Sequence, residues 1–425
     1  MHRSPSVARL TEFWRPEIQA LPRDELRALQ EDRLRAQIAR IFDRPITFFK
    51  RKLEEAGIGP DDVKTLEDLR SVPRTTKDEL RRSEAEHPPL GDYRGARLDE
   101  CIRLSTSTGT TGTPTIIVFT AHDLDVEYDA ACRMFSRQGY RRGEEIVTHA
   151  HPGGLNGGQA LLGGAFERFG ALNVPVGPPM SREDAERAIR LWREIRPTRY
   201  EMFGPALHTF WETAIGMGLD PERDLGMTRP EDLPPFRTVS AGLEAFAFLG
   251  SACEEYRGSH ACEDEAIVEA VDPATGEPVP DGDRGRFVVT TLTKENFLLR
   301  YDLEELVTLD RSPCPCGETH MRVFWLGREK DLVPVGDAQV LPMDVEVVLR
   351  RIEEVSTPAV EYQLVRGGDP AELHVRVEAP TPNEELGARI TRELGDTIGV
   401  PVRLELLPAG ALPRPAYKPL RVVEE

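Results

Sequence analysis

Ser105-Thr-Ser-Thr-Gly-Thr-Thr-Gly-Thr-Pro114 is the stretch on which the reading of this chain turns. Every residue before Pro114 carries a hydroxyl or is glycine. The stretch follows Ile102–Leu104, and Pro114 leads into the β-prone Thr115-Ile-Ile-Val-Phe119. The pattern predicts strand, polar loop, strand. Such a loop turns backbone N–H groups and hydroxyls toward one concave point, which suits phosphate oxygens. No Lys-Ser/Thr follows the second glycine and no helical periodicity begins there, so this is not a Walker A loop.

The surrounding chain is long enough for two domains. Its 425 residues, 39% hydrophobic and 30% charged, have the composition of a globular protein. No run approaches the eighteen apolar residues of a membrane span. The first twenty residues carry charge but lack the apolar core of a signal peptide, so a cytoplasmic location is expected. The formal net charge of −19 argues against nucleic acid as the main partner. ATP and CoA need only a local basic patch and remain compatible with it.

Leu26, Leu29, Leu34, Ile38, Ile41 and Phe42 give residues 10–57 a helical period. Thr65, with Asp68 three positions on, opens a short helix, and Thr75 or Thr76 opens another. Met180–Trp192 reads as a helix capped by Ser181 and Asp184, with Ala185, Ala188, Ile189 and Trp192 on its apolar face. Strands alternate with helices from Cys101 onward, which predicts α/β layering. Ile267–Val271 and Arg286–Leu292 read as a hairpin. Past Asp331 the order is helix (344–355), hairpin (361–366 and 373–378), helix (383–398) and strand (402–407).

Six cysteines in so long a chain are not a disulfide framework. Their spacing matters more than their number. Cys253 and His260, with Cys314-Pro-Cys316, supply three thiols and an imidazole, the soft four-ligand set of a closed structural Zn²⁺ site. Cys262 and His320 are rival ligands that spacing leaves open.

The phosphate loop resembles that of the AMP-forming adenylating (ANL) enzymes, the superfamily of acyl-CoA synthetases, adenylation domains and firefly luciferases. Collinear stretches narrow the resemblance to the phenylacetate–CoA ligase family. They are Pro73–Leu80, Gly153–Gly164, Val271–Pro278, Thr290–Glu295, Arg300-Tyr301, Pro313–Gly317, Gly327-Arg328, Leu412-Pro-Arg and Lys418. Some members of that family carry a Cys/His set like the one above.

The resemblance implies an α/β fold with a large multi-layered N-terminal adenylate-forming domain (1–330) and a small α+β mobile lid (331–425) hinged at Asp331. It implies ATP and Mg²⁺ as cofactors, a structural Zn²⁺, and CoA as an acceptor. The expected reaction activates an aryl or arylacetic acid as the acyl-adenylate. Ser105, Thr106, Ser107, Thr108, Gly109, Thr110, Thr111 and Gly112 would hold the ATP phosphates. Lys418 would act as the catalytic cation, and Glu305 with Arg328 would bind the nucleotide. His151, Gly153, Gly157, Gly158 and Phe203 would line the acyl pocket. Phe210 and Trp211 are either further walls of that pocket or ordinary core. Family members are often homodimers.

The chain also departs from the family. Ser240-Ala-Gly-Leu-Glu244 runs within a few residues into Gly250-Ser-Ala-Cys253, so roughly 25–30 family residues, including an aromatic–Gly–x–Ser/Thr–Glu motif, are expected to be missing. A surface segment can be lost without the core. Glu244 or Glu254 would then approach Mg²⁺. Glu305 stands where the family has a ribose-binding Asp, and Gly336-Asp337 where the hinge loop has Arg-Gly. An acid near the CoA channel would repel its phosphates. Two other outcomes therefore stand beside CoA transfer: a nitrogen nucleophile as acceptor, or a non-catalytic ligand-binding protein.

Overall fold

The computed structural model describes residues 12–44, 46–106, 115–150, 157–202, 204–228, 238–239, 242–255, 257–356, 360–413 and 420–425. The chain divides into two compact units. The first takes the described residues up to Leu225, those in 235–303, and Val307–Trp325. The second takes Leu326 onward, with Glu304–Leu306 and those in 226–234.

The first unit opens with helices α1 (Pro16–Gln19), α2 (Arg23–Asp43), α3 (Thr47–Glu55) and α4 (Lys77–Glu86). In α2, Leu26, Leu34, Ile38 and Ile41 are buried while Leu29 and Phe42 are half-buried. That stripe is what the helical period predicts. Thr76 caps α4 in a reciprocal box with Glu79. Thr65 and Asp68 exchange the same two bonds, but the turn they open is a 3-10 helix over Asp68–Ser71. Pro73 follows at once and stops an α-helix from developing.

β1 (Cys101–Thr106) and β2 (Ile116–Thr120) pair antiparallel, with Ser105 opposite Ile117 and Thr106 opposite Ile116. Helix α5 (Ala121–Arg137) follows directly, capped by Thr120. Next come β3 (Ile146–His149), α6 (Gly157–Phe169), β4 (Leu172–Pro175), α7 (Arg182–Ile195) and β5 (Arg199–Glu201), then α8 (Gly204–Gly216) and α9 (Pro221–Leu225). The three strands form a parallel sheet in the order β4-β3-β5. Parallel neighbours require crossover helices, and α6 and α7 supply them. Ser181 caps α7 as expected, and Ala185, Ile189 and Trp192 face the core.

The remaining strands are β6 (Thr238–Val239), β7 (Gly250–Ser251), β8 (Ser259–Ala261), β9 (Ala266–Val271), β10 (Gly285–Thr291), β11 (Tyr301–Asp310) and β12 (Arg322–Arg328). They make a seven-stranded sheet in the order β6-β7-β8-β12-β11-β10-β9. Short helix α10 (Gly242–Ala245) lies between β6 and β7. Phe135, Phe166, Phe169 and Tyr140 form an aromatic centre between α5 and α6, extended by Trp14 stacked on Phe169.

The second unit holds β13 (Val333–Val335), β14 (Ala338–Val340), α11 (Pro342–Leu349), α12 (Glu353–Ser356), β15 (Tyr362–Arg366), β16 (Leu373–Ala379), α13 (Glu384–Ile398), β17 (Val402–Pro408) and β18 (Val422–Glu424). A four-stranded sheet in the order β17-β16-β15-β18 has α13 against β17, with Leu386, Ile390 and Leu394 buried. Asn383 caps α13 and Gly399 ends it at φ 79°, a left-handed position that glycine adopts without strain. The single helix expected over 344–355 is two pieces, broken between Leu349 and Glu353.

Candidate functional site

Two flanks of the phosphate loop are described, and they are the paired strands the sequence predicts. Ser105 is buried at 1% exposure and Thr106 is half-buried. Ser107, Thr108, Gly109, Thr110, Thr111 and Gly112 lie outside the described residues. The same holds for His151, Gly153, Phe203 and Lys418. Gly157 and Gly158 open α6.

Glu244, on α10, is half-buried with its carboxylate covered, and it accepts a hydrogen bond from Lys77 Nζ at 2.7 Å. Lys77 is the first residue of α4, so the Pro73–Leu80 motif reaches α10 directly. Behind Glu244, the backbone of 245–248 rests on a buried ion pair between Glu127 and Lys294. Lys294 donates to Ala245 O at 2.9 Å, and the Glu127 carboxylate accepts from Ala247 N and Phe248 N at 3.0 and 3.2 Å. The Lys294 ammonium also lies 5.3 Å from the centroid of the Phe119 ring and 4.9 Å from that of Phe246, within cation–π range. Phe246 is fully buried and Phe248 is 8% exposed. Neither ring is open to solvent.

In α/β sheets ligands collect at the carboxyl ends of parallel strands. Those ends here carry His149 on β3 and Glu201 on β5, in register with each other; Asn173 on β4, opposite Val147, reaches His149 with its side chain. The Asn173 amide donates to Gly163 O and Glu167 Oε1, so its oxygen faces His149 Nε2 at 2.9 Å and makes that nitrogen the donor. Burial pushes the His149 pKa down, which keeps the ring neutral. Phe210 is not a wall of this region: it is 1% exposed and packs 6.4 Å from Trp192 between α8 and α7.

The clearest constellation is the Cys/His set. One ligand atom each from Cys253, His260, Cys314 and Cys316 fall within 4.8 Å of one another, and all four residues are buried. Cys253 Sγ is 3.8 Å from Cys314 Sγ, and Cys316 Sγ is 3.4 Å from His260 Nε2. Two sulfurs each about 2.3 Å from a tetrahedral zinc stand about 3.8 Å apart, so the donor set fits that ion. His260 Nδ1 lies 2.8 Å from the His320 carbonyl. A carbonyl only accepts, so Nδ1 carries the proton and Nε2 faces the thiols, as a metal-binding imidazole requires. The hydrogen bond from Cys316 lowers the Cys253 thiol from its usual range, and the same contact raises that of Cys316.

The rival ligands stand outside this set. Cys262 is fully buried, and burial pushes its pKa up to about 12. His320 is occupied by the carbonyls of Ala261 and Ile18 at 2.9 and 3.1 Å. Glu318 N donates to Cys316 Sγ at 3.4 Å, while its carboxylate pairs with the buried Arg137. The sequence reading missed this pair and the Glu127–Lys294 pair, because nothing local marks partners that lie so far apart along the chain.

Glu305 is half-buried on β11, directly after Glu304 at φ 57°. Arg328 ends β12, and Asp331 closes a 3-10 turn over Glu329–Asp331. Among the described residues no helix is long and apolar enough to cross a membrane.

Residues 338–425 match the family of AMP-binding enzyme C-terminal domains. The chain is 35% identical to a phenylacetate-coenzyme A ligase of Thermus thermophilus, over 96% of this chain and 98% of that protein. It is 28% identical to one of Pseudomonas putida, over 95% and 94% of the two chains. The Thermus alignment runs over 452 positions, more than this chain's 425 residues, so that relative has residues with no counterpart here. The fold is that of a solved 2-hydroxyisobutyryl-CoA ligase in complex with 2-HIB-AMP, at a TM-score of 0.82 and 23% identity, covering 100% of this chain and 94% of that one.

Proposed function

This chain belongs to the phenylacetate–coenzyme A ligase family, and we propose that it activates an aryl or arylacetic carboxylic acid with ATP and passes the acyl group to CoA. The observation that carries this reading is the 35% identity spread over nearly the whole length of both chains. The acid's carboxylate oxygen attacks the α-phosphorus of ATP, the bond to the β-phosphate oxygen breaks, and acyl-AMP and pyrophosphate result. The CoA thiolate then attacks the acyl carbon, and AMP leaves with the electron pair of the broken C–O bond.

In this reading the hydroxyls and amides of Ser105–Gly112 hold the β- and γ-phosphates. Lys418 supplies a positive charge where negative charge develops, which is where a fixed cation lowers a barrier most. Glu305 and Arg328 bind the nucleotide, and Glu244 is the acid nearest the shortened segment for Mg²⁺, which would screen the triphosphate. His151, Gly153, Gly157, Gly158 and Phe203 shape the acyl pocket. Residues 331–425 act as a lid that turns at Asp331 between the two half-reactions. Cys253, His260, Cys314 and Cys316 hold a structural Zn²⁺, since four protein ligands leave no open position for catalysis. A cytoplasmic homodimer completes the reading.

Pyrophosphate release across a panel of aryl and arylacetic acids, with and without CoA, tests it. The expected result is acid-dependent release that yields a thioester when CoA is present. Release that never yields a thioester would point to a nitrogen acceptor. Bound ATP with no release for any acid would point to a non-catalytic protein.

A further inference from the structure

Three described residues other than glycine have positive φ: Arg196 at 53°, Arg300 at 44° and Glu304 at 57°. Arg196 ends α7, where a left-handed residue is ordinary. Arg300 and Glu304 are different, for they lie four residues apart and bracket the first turn of chain before Glu305. Non-glycine residues hold such a conformation only when their surroundings enforce it, and such strain gathers at functional sites.

What enforces it at Arg300 is visible. The residue is 3% exposed, and all five guanidinium N–H donors of the side chain have acceptors. Nε and Nη2 grip the Glu269 carboxylate at 3.1 and 3.0 Å; Nη1 donates to Arg70 O and Val72 O at 2.7 and 2.8 Å; Nη2 also donates to Gly276 O at 3.2 Å. Its own N–H donates to Thr290 Oγ1 at 2.9 Å. Its carbonyl accepts from Thr75 N at 2.8 Å, and Asp302 N returns a bond to Thr75 O at 2.8 Å, so Thr75 and Tyr301 form a parallel bridge. Thr75 Oγ1 donates to Leu299 O at 2.8 Å, and Arg74 pairs with Asp302 at 3.0 Å. One side chain thus clamps residues 70–75 to β9, to the 272–278 turn and to the start of β11.

We propose that Arg300 is a positioning residue for the nucleotide site: it holds the Pro73–Leu80 motif, and with it the Lys77–Glu244 pair, in fixed register with β9 and the start of β11. This rests on the adenylating function proposed above. Thr75 joins the sheet by a single bridge, and the Arg300 bonds to Arg70 O and Val72 O hold the chain that leads into it. Lysine cannot replace arginine here, because an ammonium has three donors and no planar fork.

The test is the Kd of the non-hydrolysable analogue AMPCPP with Mg²⁺, measured by calorimetry on the full chain. R300K should weaken binding at least tenfold. T75V, which removes only the Oγ1 bond to Leu299, should weaken it several-fold and carries the test if R300K does not fold. I189A, in the α7 core far along the chain, should lower the thermal midpoint yet bind the analogue within twofold of wild type. Wild-type affinity in a folded R300K or T75V overturns the inference alone, as does an equal loss in I189A. A wild-type chain that binds no nucleotide overturns the functional reading and this inference together.

Discussion

Replacing Lys294 by Met tests whether the buried Glu127–Lys294 pair braces the segment that follows Glu244. The two side chains are 2% and 0% exposed, lysine first, so the pair is not weakened by solvent screening as a surface pair would be. K294M would leave the Glu127 carboxylate buried against two backbone N–H groups with no counter-charge, and breaking one side of such a pair costs about 3–5 kcal/mol. E127Q strands the Lys294 ammonium between the Phe119 and Phe246 rings, and a loss in the same range is expected. The double variant E127Q/K294M behaves differently. The introduced glutamine keeps one acceptor for Ala247 N or Phe248 N, and the introduced methionine fills the space of the lysine stem. The double change should therefore cost only about 1–2 kcal/mol. Urea unfolding followed by tryptophan fluorescence would give all four stabilities. If the double variant loses the sum of the two single losses, the side chains do not act as a pair and the brace is refuted.

Two other outcomes follow from the geometry. The purified protein should hold about one equivalent of zinc, and C316S should lose it to a chelator at concentrations the wild type withstands; less than about half an equivalent with all four ligands intact would remove the metal assignment. Burial alone would raise the Asp264 carboxyl, but the Arg133 guanidinium at 2.6 Å more than offsets it and holds the group well below the usual range. A carboxyl depressed in the folded state stabilises the fold above its unfolded value near about 3.9 and loses that contribution as pH falls further. D264N should therefore flatten the stability curve between about pH 4 and pH 2, and an unchanged slope would show that Asp264 does not titrate in that window.

Much of this molecule is legible in its sequence because local chemistry decides it. Ser181 and Asn383 cap helices whose apolar faces repeat at helical spacing, and the expected hairpins over 267–292 and 361–378 pair antiparallel. The four-ligand Cys/His set was legible as a set, but not the exclusion of Cys262 and His320. That depends on strand register, since Arg322 pairs with His260 on neighbouring β8 and β12, and no spacing encodes it. Arg300 shows the same limit more sharply. Its role comes from acceptors at Arg70, Val72, Glu269 and Gly276, which only the folded chain brings to one side chain. Phe210 reads equally well as pocket or core in sequence, and packing against Trp192 decides for core.

The central claim is that this chain makes an acyl-adenylate, although it lacks residues that its Thermus relative carries. A single turnover with enzyme in excess over ATP tests it most directly, using phenylacetate as the acid and following the nucleotide and phosphorus products. Without CoA, pyrophosphate and enzyme-bound phenylacetyl-AMP should appear together in equal amounts. Adding CoA should convert the adenylate to free AMP and thioester, one for one. ADP with inorganic phosphate, or ATP that stays intact across the whole acid panel, would contradict the account.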